Sequence, residues 1–322
     1  MEDIDVFNGD ADGICALTQL RLAEPRAARL VTGIKRDIDL LARVEANPGD
    51  RVTVLDISFD TNRAGVERLL ASGAEIFYAD HHYAGTIPQH ERLTTIINEA
   101  PEVCTSILVN GSFLQNRYRE WAIVGAFGDN LSQSAIALAR PLELEPSRLE
   151  QLEQLGTYLN YNGYGESIED LHFPPDRLFS LVSQHASPFD FMAEGREHFQ
   201  QLAAGYADDM ARAAALRPDT TSSSAAALFI LPNEAWARRV SGVFSNDLAN
   251  RHPDRAHAVL IAKSNGHYLI SVRAPLQRRK GADALCRQFP TGGGRAAAAG
   301  INALPADQLG QFTNAFLTHA WG

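Results

Sequence analysis

Apolar and polar positions follow a strand and helix rhythm along the first quarter of the chain. Ile4 to Phe7 alternates in polarity like a β-strand, and residues 14–22 then carry apolar side chains at helical spacing. The same succession continues with predicted strands at 29–33, 52–56 and 75–78 and predicted helices at 37–46 and 61–71. Strands that alternate with helices are typical of a parallel sheet covered by helices, so the pattern predicts an α/β fold.

The rest of the pattern predicts a second, smaller α/β domain. A helix at 149–159 and one amphipathic helix over 191–216 precede residues 217–224, whose Pro, Asp, Thr and Ser are typical of a linker. Strands are predicted at 225–231, 256–262 and 267–273 and helices at 235–249 and 282–288, with Asn265-Gly266 as a hairpin turn. We therefore expect an N-terminal domain over 1–190, a connecting helix and linker over 191–224, and a C-terminal domain over 225–322.

Composition narrows the class of protein. The chain has 322 residues, long for a single core, and 45% of them are hydrophobic, which is enough for packed domains. Its net charge of -10 argues against a protein that coats long duplex DNA, because such binding depends on Lys and Arg. The three cysteines lack the spacing of a zinc or disulfide framework. The acidic start and the absence of an apolar run of ~18 residues lead us to expect a cytoplasmic protein without a membrane span.

Acidic side chains and a histidine follow the predicted strands at the point where each strand ends. Asp10 and Asp12 come after the first strand, Asp56 ends the third, and Asp80 and His81 follow the fourth. Ligands of parallel α/β sheets gather outside the carboxyl ends of the strands. We therefore expect these five side chains to converge.

The types of these side chains favour a hard divalent cation. Carboxylate oxygens with a single imidazole suit Mn²⁺, or else Mg²⁺. Two such ions bridged by a carboxylate would activate a hydroxide at neutral pH, which predicts phosphoester hydrolysis. A calcium-binding helix-loop-helix fits less well, because its twelfth loop position is Gln19 instead of Glu and a strand precedes the loop. A plain acidic turn without a metal also stays open for residues 8–13 considered alone.

A glycine-rich segment in the second domain is a candidate phosphate-binding loop. Gly292, Gly293 and Gly294 would let a phosphate approach backbone N–H groups, and Arg295 follows them. Arg273, at the end of a predicted strand, offers a guanidinium fork that suits phosphate. The alternative interpretation is a flexible turn before an alanine-rich packing helix.

Together these residues resemble the DHH superfamily of phosphoesterases, which includes RecJ-type exonucleases, nanoRNases and cyclic-dinucleotide phosphodiesterases. Asp10-Ala11-Asp12-Gly13, Asp56, Asp80-His81-His82 and Asp129 match the four metal motifs in order. Ser271-Val272-Arg273 and the glycine-rich segment look like the associated DHHA1 domain. The resemblance spans nearly the whole chain and implies a parallel-sheet DHH domain followed by a smaller α/β DHHA1 domain.

The resemblance also implies a role for each site residue. Asp10 and Asp56 would bind one ion, and Asp56 would bridge to a second ion. The implied metal ligands are Asn8, Asp10, Asp12, Asp56, His81 and Asp129. The implied catalytic residues are Asp56, Asp80 and His82, with His82 facing the scissile phosphate. The implied substrate-binding residues are Arg273, Gly292, Gly293, Gly294 and Arg295.

One position departs from the family pattern. The family places a histidine four residues before the first motif aspartate, where this chain has Val6. Asn8 could contribute a carbonyl oxygen there, but a neutral ligand holds a divalent cation more weakly than imidazole does. We therefore expect two ions, with the first held weakly and occupied together with substrate.

The resulting expectation is a hydrolase, a metal-dependent phosphodiesterase that acts on short oligonucleotides or on linear or cyclic dinucleotides. A small substrate fits an acidic chain without an extended basic groove. One alternative is a phosphomonoesterase acting on 3′-phosphoadenosine 5′-phosphate or a related nucleotide. Another is a non-catalytic nucleotide sensor, which Val6 makes credible. The expected partner is a short nucleotide, with neither a membrane nor long duplex DNA, and a homodimer is left open.

Overall fold

Two β-sheets organise the chain. The computed structural model describes residues 1–321 as one unit over Met1–Ala203 and a second unit from Ala204 onward, each with its own apolar core. The boundary falls inside a helix, whereas we expected the break at a linker ending at residue 224. No helix within residues 1–321 is long and apolar enough to cross a lipid bilayer.

The first unit is built on a five-stranded parallel sheet in the order β2-β1-β3-β4-β5. Its strands are β1 Asp3–Phe7, β2 Ala28–Val31, β3 Arg51–Leu55, β4 Glu75–Asp80 and β5 Leu93–Ile97. Ile4 and Val6 pack in one apolar cluster and Phe7 in another, so helices cover both faces of β1. The parallel α/β fold predicted from the strand and helix rhythm is therefore confirmed.

Helices surround this sheet and continue beyond its last strand. They are α1 Ala11–Ala23, α2 Phe59–Ala71, α3 Thr105–Leu108, α4 Arg119–Gly128, α5 Ser132–Ala139, α6 Pro146–Asn162, α7 Pro175–Val182, α8 Pro188–Glu194 and α9 Arg196–Ala214. Gly156 lets α4 and α6 come close, because a Cβ there would lie 2.3 Å from the Val124 carbonyl oxygen. This close packing places the carboxyl end of α4, where Asp129 follows, beside the loop before α1.

The second unit contains a mixed sheet in the order β6-β7-β8-β10-β9. Its elements are β6 Ala226–Leu231, α10 Ala235–Arg251, β7 Ala256–Ala262, β8 His267–Arg273, α11 Ala282–Cys286, β9 Gly292–Gly294, β10 Ala298–Pro305 and α12 Leu309–Thr318. Strands β6 and β7 run parallel, and β7 and β8 form the antiparallel hairpin that Asn265-Gly266 predicts.

Two elements of the first unit differ from the sequence-based prediction. The helix predicted at 37–46 is only a short 3-10 turn, Leu40–Arg43, and the strand β5 was not predicted. The Asn62 side chain accepts from the Leu41 N–H and donates to the Ile38 carbonyl oxygen. These backbone groups would otherwise be available to a helix, so a tertiary contact overrides the local pattern.

The prediction of one helix over 191–216 is wrong in its extent. The chain forms two helices, α8 and α9, with Gly195 between them. Ser187 and Asp190 start α8 with reciprocal side-chain to backbone hydrogen bonds.

The segment after the glycines is also different from the packing helix considered as an alternative. Ala298–Pro305 is the strand β10, which pairs with β8 on one side and with β9 on the other. Pairing on both sides outweighs the helix propensity of its alanines.

Candidate metal centre

The candidate site lies at the carboxyl ends of the parallel strands. The sheet order reverses between β1 and β3, because the chain passes from β1 to β2 on one side and reaches β3 on the other. Asp10 follows β1, Asp56 directly follows β3, and Asp80 is the last residue of β4. Such a reversal point is where α/β sheets bind ligands.

The loop after β1 is held by its own side chains. Asp10 caps α1, because its Oδ1 accepts from the N–H groups of Asp12 and Gly13 at 3.0 and 3.1 Å. Asn8 Oδ1 accepts from the Asp10 N–H at 3.2 Å, and Asn8 Nδ2 donates to the Lys35 carbonyl oxygen. The amide of Asn8 is therefore engaged within the loop, and its role as a metal ligand stays a prediction.

Asp12 is fully buried and joins α1 to the start of α3. Its two carboxylate oxygens accept from the backbone N–H groups of Thr105 at 2.7 Å and Ser106 at 2.9 Å. These two hydrogen bonds fix the orientation of the carboxylate. Each oxygen keeps a further lone pair with which it could ligate an ion.

Asp56 occupies a backbone conformation that few residues adopt. Its φ is +61°, and its Oδ1 accepts from the Thr105 hydroxyl at 2.9 Å. Burial raises the pKa of Asp56 well above its ordinary value, and the nearby carboxylates of Asp12 and Asp10 raise it further. The centre thus concentrates negative charge around Asp56, which a divalent cation would relieve.

His81 has the hydrogen bonding of a metal ligand. Its Nδ1 lies 2.9 Å from the Val103 carbonyl oxygen, and since a carbonyl oxygen only accepts, Nδ1 carries the proton. The other ring nitrogen, Nε2, lies 3.5 Å from Asp56 Oδ1 and 3.7 Å from Asp129 Oδ2. These separations are long for hydrogen bonds and leave room for an ion beside His81 Nε2.

His82 is positioned by Asp80. The His82 Nδ1 lies 2.7 Å from Asp80 Oδ1, and the Asp80 carboxylate is fully buried. The side chain of His82 is 39% exposed, whereas that of His81 is 2% exposed. Ligand atoms of Asp56, His81 and His82 lie within 4.8 Å of one another. His82 therefore borders the cluster on its more accessible side.

Sequence reasoning missed Lys35. Its Nζ lies 2.5 Å from Asp10 Oδ2, 2.8 Å from Asn160 Oδ1 and 3.7 Å from Asp129 Oδ1. Burial opposes the charge of Lys35, but Asp10, Tyr164 and Asp129 together outweigh burial, so the pKa of Lys35 is raised well above its ordinary value. Burial likewise opposes ionisation of Asp10, but Lys35 lowers the Asp10 pKa. Lys35 follows the end of β2, so the strand-end rule could have identified it.

The predicted phosphate-binding residues of the second unit meet at one end of its sheet. In β10, Ala298 pairs with Arg273 and Ala299 pairs with Gly294. The Arg273 Nε donates to Asn246 Oδ1 at 2.8 Å, and Arg295 is exposed after the glycine strand. The edge strand β9 is formed by Gly292, Gly293 and Gly294.

Two of these glycines differ in how much room a side chain would have. Gly294 has φ +136°, and a Cβ there would lie 2.5 Å from the Ala299 Cα. A Cβ at Gly293 would meet no atom within 4 Å. The fold therefore requires Gly294, whereas Gly293 leaves open space beside its backbone.

No protein-family model and no curated protein matches the chain. Solved structures match it over nearly its whole length. A RecJ exonuclease bound to manganese has a TM-score of 0.61 and 16% identity, with 98% of this chain and 89% of that chain covered. The pGpG-specific phosphodiesterase PggH of Vibrio cholerae has a TM-score of 0.56 and 13% identity, with 99% and 98% covered.

A longer RecJ gives the same result. The Thermus thermophilus enzyme in complex with Mn²⁺ has a TM-score of 0.55 and 16% identity, with 98% of this chain covered. The match covers 51% of that RecJ chain, so the present chain spans about half its length. These structural neighbours are members of the DHH superfamily, and the chain has their RecJ-like fold.

Proposed function

We propose that this chain is a metal-dependent phosphodiesterase that hydrolyses short oligonucleotides or linear or cyclic dinucleotides. The observation that carries the proposal is His81, whose protonated Nδ1 is fixed on a carbonyl oxygen while Nε2 faces the carboxylates of Asp56 and Asp129. The shared fold with a manganese-bound RecJ and with a pGpG phosphodiesterase supports it.

The donor set fits a divalent cation. Asp56, His81 and Asp129 would hold Mn²⁺ or Mg²⁺, with Asp12 as a further oxygen donor. Asp80 Oδ2 is buried and, within residues 1–321, has no hydrogen-bond partner, which is typical of a site whose charge is balanced by a group beyond the protein. A bound cation of this kind supplies Lewis-acid polarisation of a phosphoryl group.

The chain's own residues would position the substrate. His82, oriented by Asp80, would contact the scissile phosphate and give a proton to the departing oxygen. Asp80 touches His82 and would act through it, as a positioning residue. In the second unit, Arg273, Arg295 and the outer edge of the glycine strand Gly292–Gly294 would bind the terminal phosphate of the substrate.

A substrate panel tests the proposal. Purified protein with Mn²⁺ is incubated with pGpG, other dinucleotides, cyclic dinucleotides, 3′-phosphoadenosine 5′-phosphate and polyphosphate, and products are resolved by chromatography. We expect phosphodiester cleavage by the wild type and none by Asp56→Asn. The matched control is Asp60→Asn, because Asp60 is an exposed carboxylate four residues away that contacts Arg63.

Each other outcome has a definite meaning. Hydrolysis of 3′-phosphoadenosine 5′-phosphate alone would show a phosphomonoesterase. Tight binding of a nucleotide without turnover would show a sensor. Full activity of Asp56→Asn would show that hydrolysis does not depend on the proposed metal centre.

A further inference from the structure

We infer that Lys35 is a fixed cation that takes the place of one divalent ion, so that this centre holds a single metal ion. The inference rests on the proposed function, because it concerns how the same site balances its charge. The sequence led us to expect two ions. We infer instead one ion on the side of Asp56 and His81, and the Lys35 ammonium on the side of Asp10.

Asp129 lies between the two positive positions. Its Oδ1 is 3.7 Å from Lys35 Nζ, and its Oδ2 is 3.7 Å from His81 Nε2. One carboxylate thus serves both sides of the centre. The ammonium occupies one side, and the imidazole with Asp56 offers ligand atoms on the other.

The ammonium group of Lys35 is surrounded by oxygen atoms and an aromatic ring. Lys35 Nζ has three oxygen neighbours, Asp10 Oδ2, Asn160 Oδ1 and Asp129 Oδ1, and an ammonium has three N–H donors. The Tyr164 ring adds a cation–π contact, with its centroid 5.5 Å from Nζ. The same oxygens would be needed to coordinate an ion on this side.

The backbone of Lys35 is fixed as well. Its N–H donates to the Gly163 carbonyl oxygen at 2.8 Å, and its carbonyl oxygen accepts from Asn8 Nδ2 at 3.2 Å. The side chain is 21% exposed. Lys35 is therefore tied at its backbone and at its ammonium, unlike a surface lysine that happens to lie near an acid.

The remaining ligand atoms form one cluster. Within residues 1–321, one group of three or more His, Cys, Asp or Glu side chains is close enough to hold an ion, and it consists of Asp56, His81 and His82. Asp10, Asp12 and Asp129 lie outside this group, and of these three Asp10 has the Lys35 ammonium at 2.5 Å. Four positions before Asp10, Val6 is fully buried among apolar side chains and offers no ligand.

Metal stoichiometry tests the inference without measuring catalysis. The metal-stripped protein is dialysed against saturating Mn²⁺, and bound metal per chain is measured by atomic emission. We expect one ion for the wild type and two for Lys35→Ala, because the substitution frees the oxygens of Asp10 and Asn160. Lys280→Ala is the control, since Lys280 is an exposed lysine of the second unit, and it should bind one ion.

Two further measurements keep the test decisive. Lys35→Arg keeps the charge and should bind one ion, so it separates loss of charge from loss of fold. Thermal melting in a chelator should show Lys35→Ala less stable than wild type, with a larger gain on adding Mn²⁺. Two ions in the wild type, or one ion in a folded Lys35→Ala, would overturn the inference.

The result is separable from the proposed function. If the wild type binds one ion but cleaves nothing in the substrate panel, the role of Lys35 is supported and the proposed enzymatic function is refuted. If the wild type cleaves its substrate and binds two ions, the enzymatic function is supported and the proposed role of Lys35 is refuted.

Discussion

Replacing Asp56 is expected to stabilise the metal-free protein while abolishing hydrolysis. Asp56→Asn keeps an oxygen for the Thr105 hydroxyl, and asparagine tolerates a left-handed backbone. It removes only the charge. Because burial and neighbouring carboxylates raise the folded-state pKa of Asp56, the group favours folding below its unfolded pKa and opposes it as pH rises. At pH 7, the asparagine variant should therefore resist unfolding better than wild type.

The backbone conformation of Asp56 makes a second contribution to the free energy of unfolding. At φ +61°, alanine should cost about 1–2 kcal/mol because of its Cβ, whereas glycine has no such cost. Glycine loses about 0.5–1 kcal/mol more chain entropy on folding. Both variants lose the Thr105 hydrogen bond equally. Asp56→Gly should therefore be more stable than Asp56→Ala by roughly 0.5–1 kcal/mol.

Urea unfolding in a chelator measures these differences, and hydrogen exchange of β3 and β4 amides reports on the first unit alone. Adding Mn²⁺ at about one hundred times its dissociation constant should stabilise wild type by about 2.7 kcal/mol and the variants much less. The metal therefore shifts the balance of stability toward wild type. An asparagine variant less stable than wild type without metal, or an alanine variant more stable than the glycine one, would refute this reasoning.

Four other substitutions have defined outcomes. Burial and nearby positive charges lower the pKa of His257 from 6.5 to about 4, so wild type should lose about 2.5 kcal/mol of second-unit stability between pH 7.5 and 4.5. His257→Leu should lack this acid loss, and equal exchange of β7 amides in both proteins would contradict it. Asp80→Asn should lower kcat about 10- to 100-fold at unchanged Mn²⁺ stoichiometry, because His82 loses its charged partner; kinetics with metal analysis check this. Gly293→Ala should leave the melting temperature unchanged and raise KM, whereas Gly294→Ala should destabilise the second unit; a normal KM for the first would exclude phosphate binding there.

The convergence of the acidic residues could be predicted from the sequence because it follows from topology. Asp10, Asp56 and Asp80 lie at or just after the carboxyl ends of strands in one parallel sheet, and the strand-end rule needs no side-chain detail. Lys35 follows β2 at the same edge of the sheet, but as a cation it does not stand out in the sequence as a residue of a metal centre. The position of Lys35 after a strand end would have identified it, whatever its residue type.

Other features depend on contacts between distant residues and leave no local pattern. Asn62 prevents the helix predicted at 37–46 by binding backbone groups more than twenty residues away. Asn160, which completes the surroundings of Lys35, lies 125 residues further along the chain. The periodicity of apolar positions carries no information about such pairs.

The reach of these contacts along the chain has a consequence for synthesis. Asp12 finds its backbone donors 93 and 94 residues later, and Lys35 finds Asn160 only when α6 has been made. A ribosome adds about 5–20 residues per second, so the early strands wait several seconds with their carboxylates unpaired. We expect nascent chains that end before Asp129 to be unable to retain the ion, because Asp129 is one of its proposed ligands, so that metal loading follows synthesis of α4.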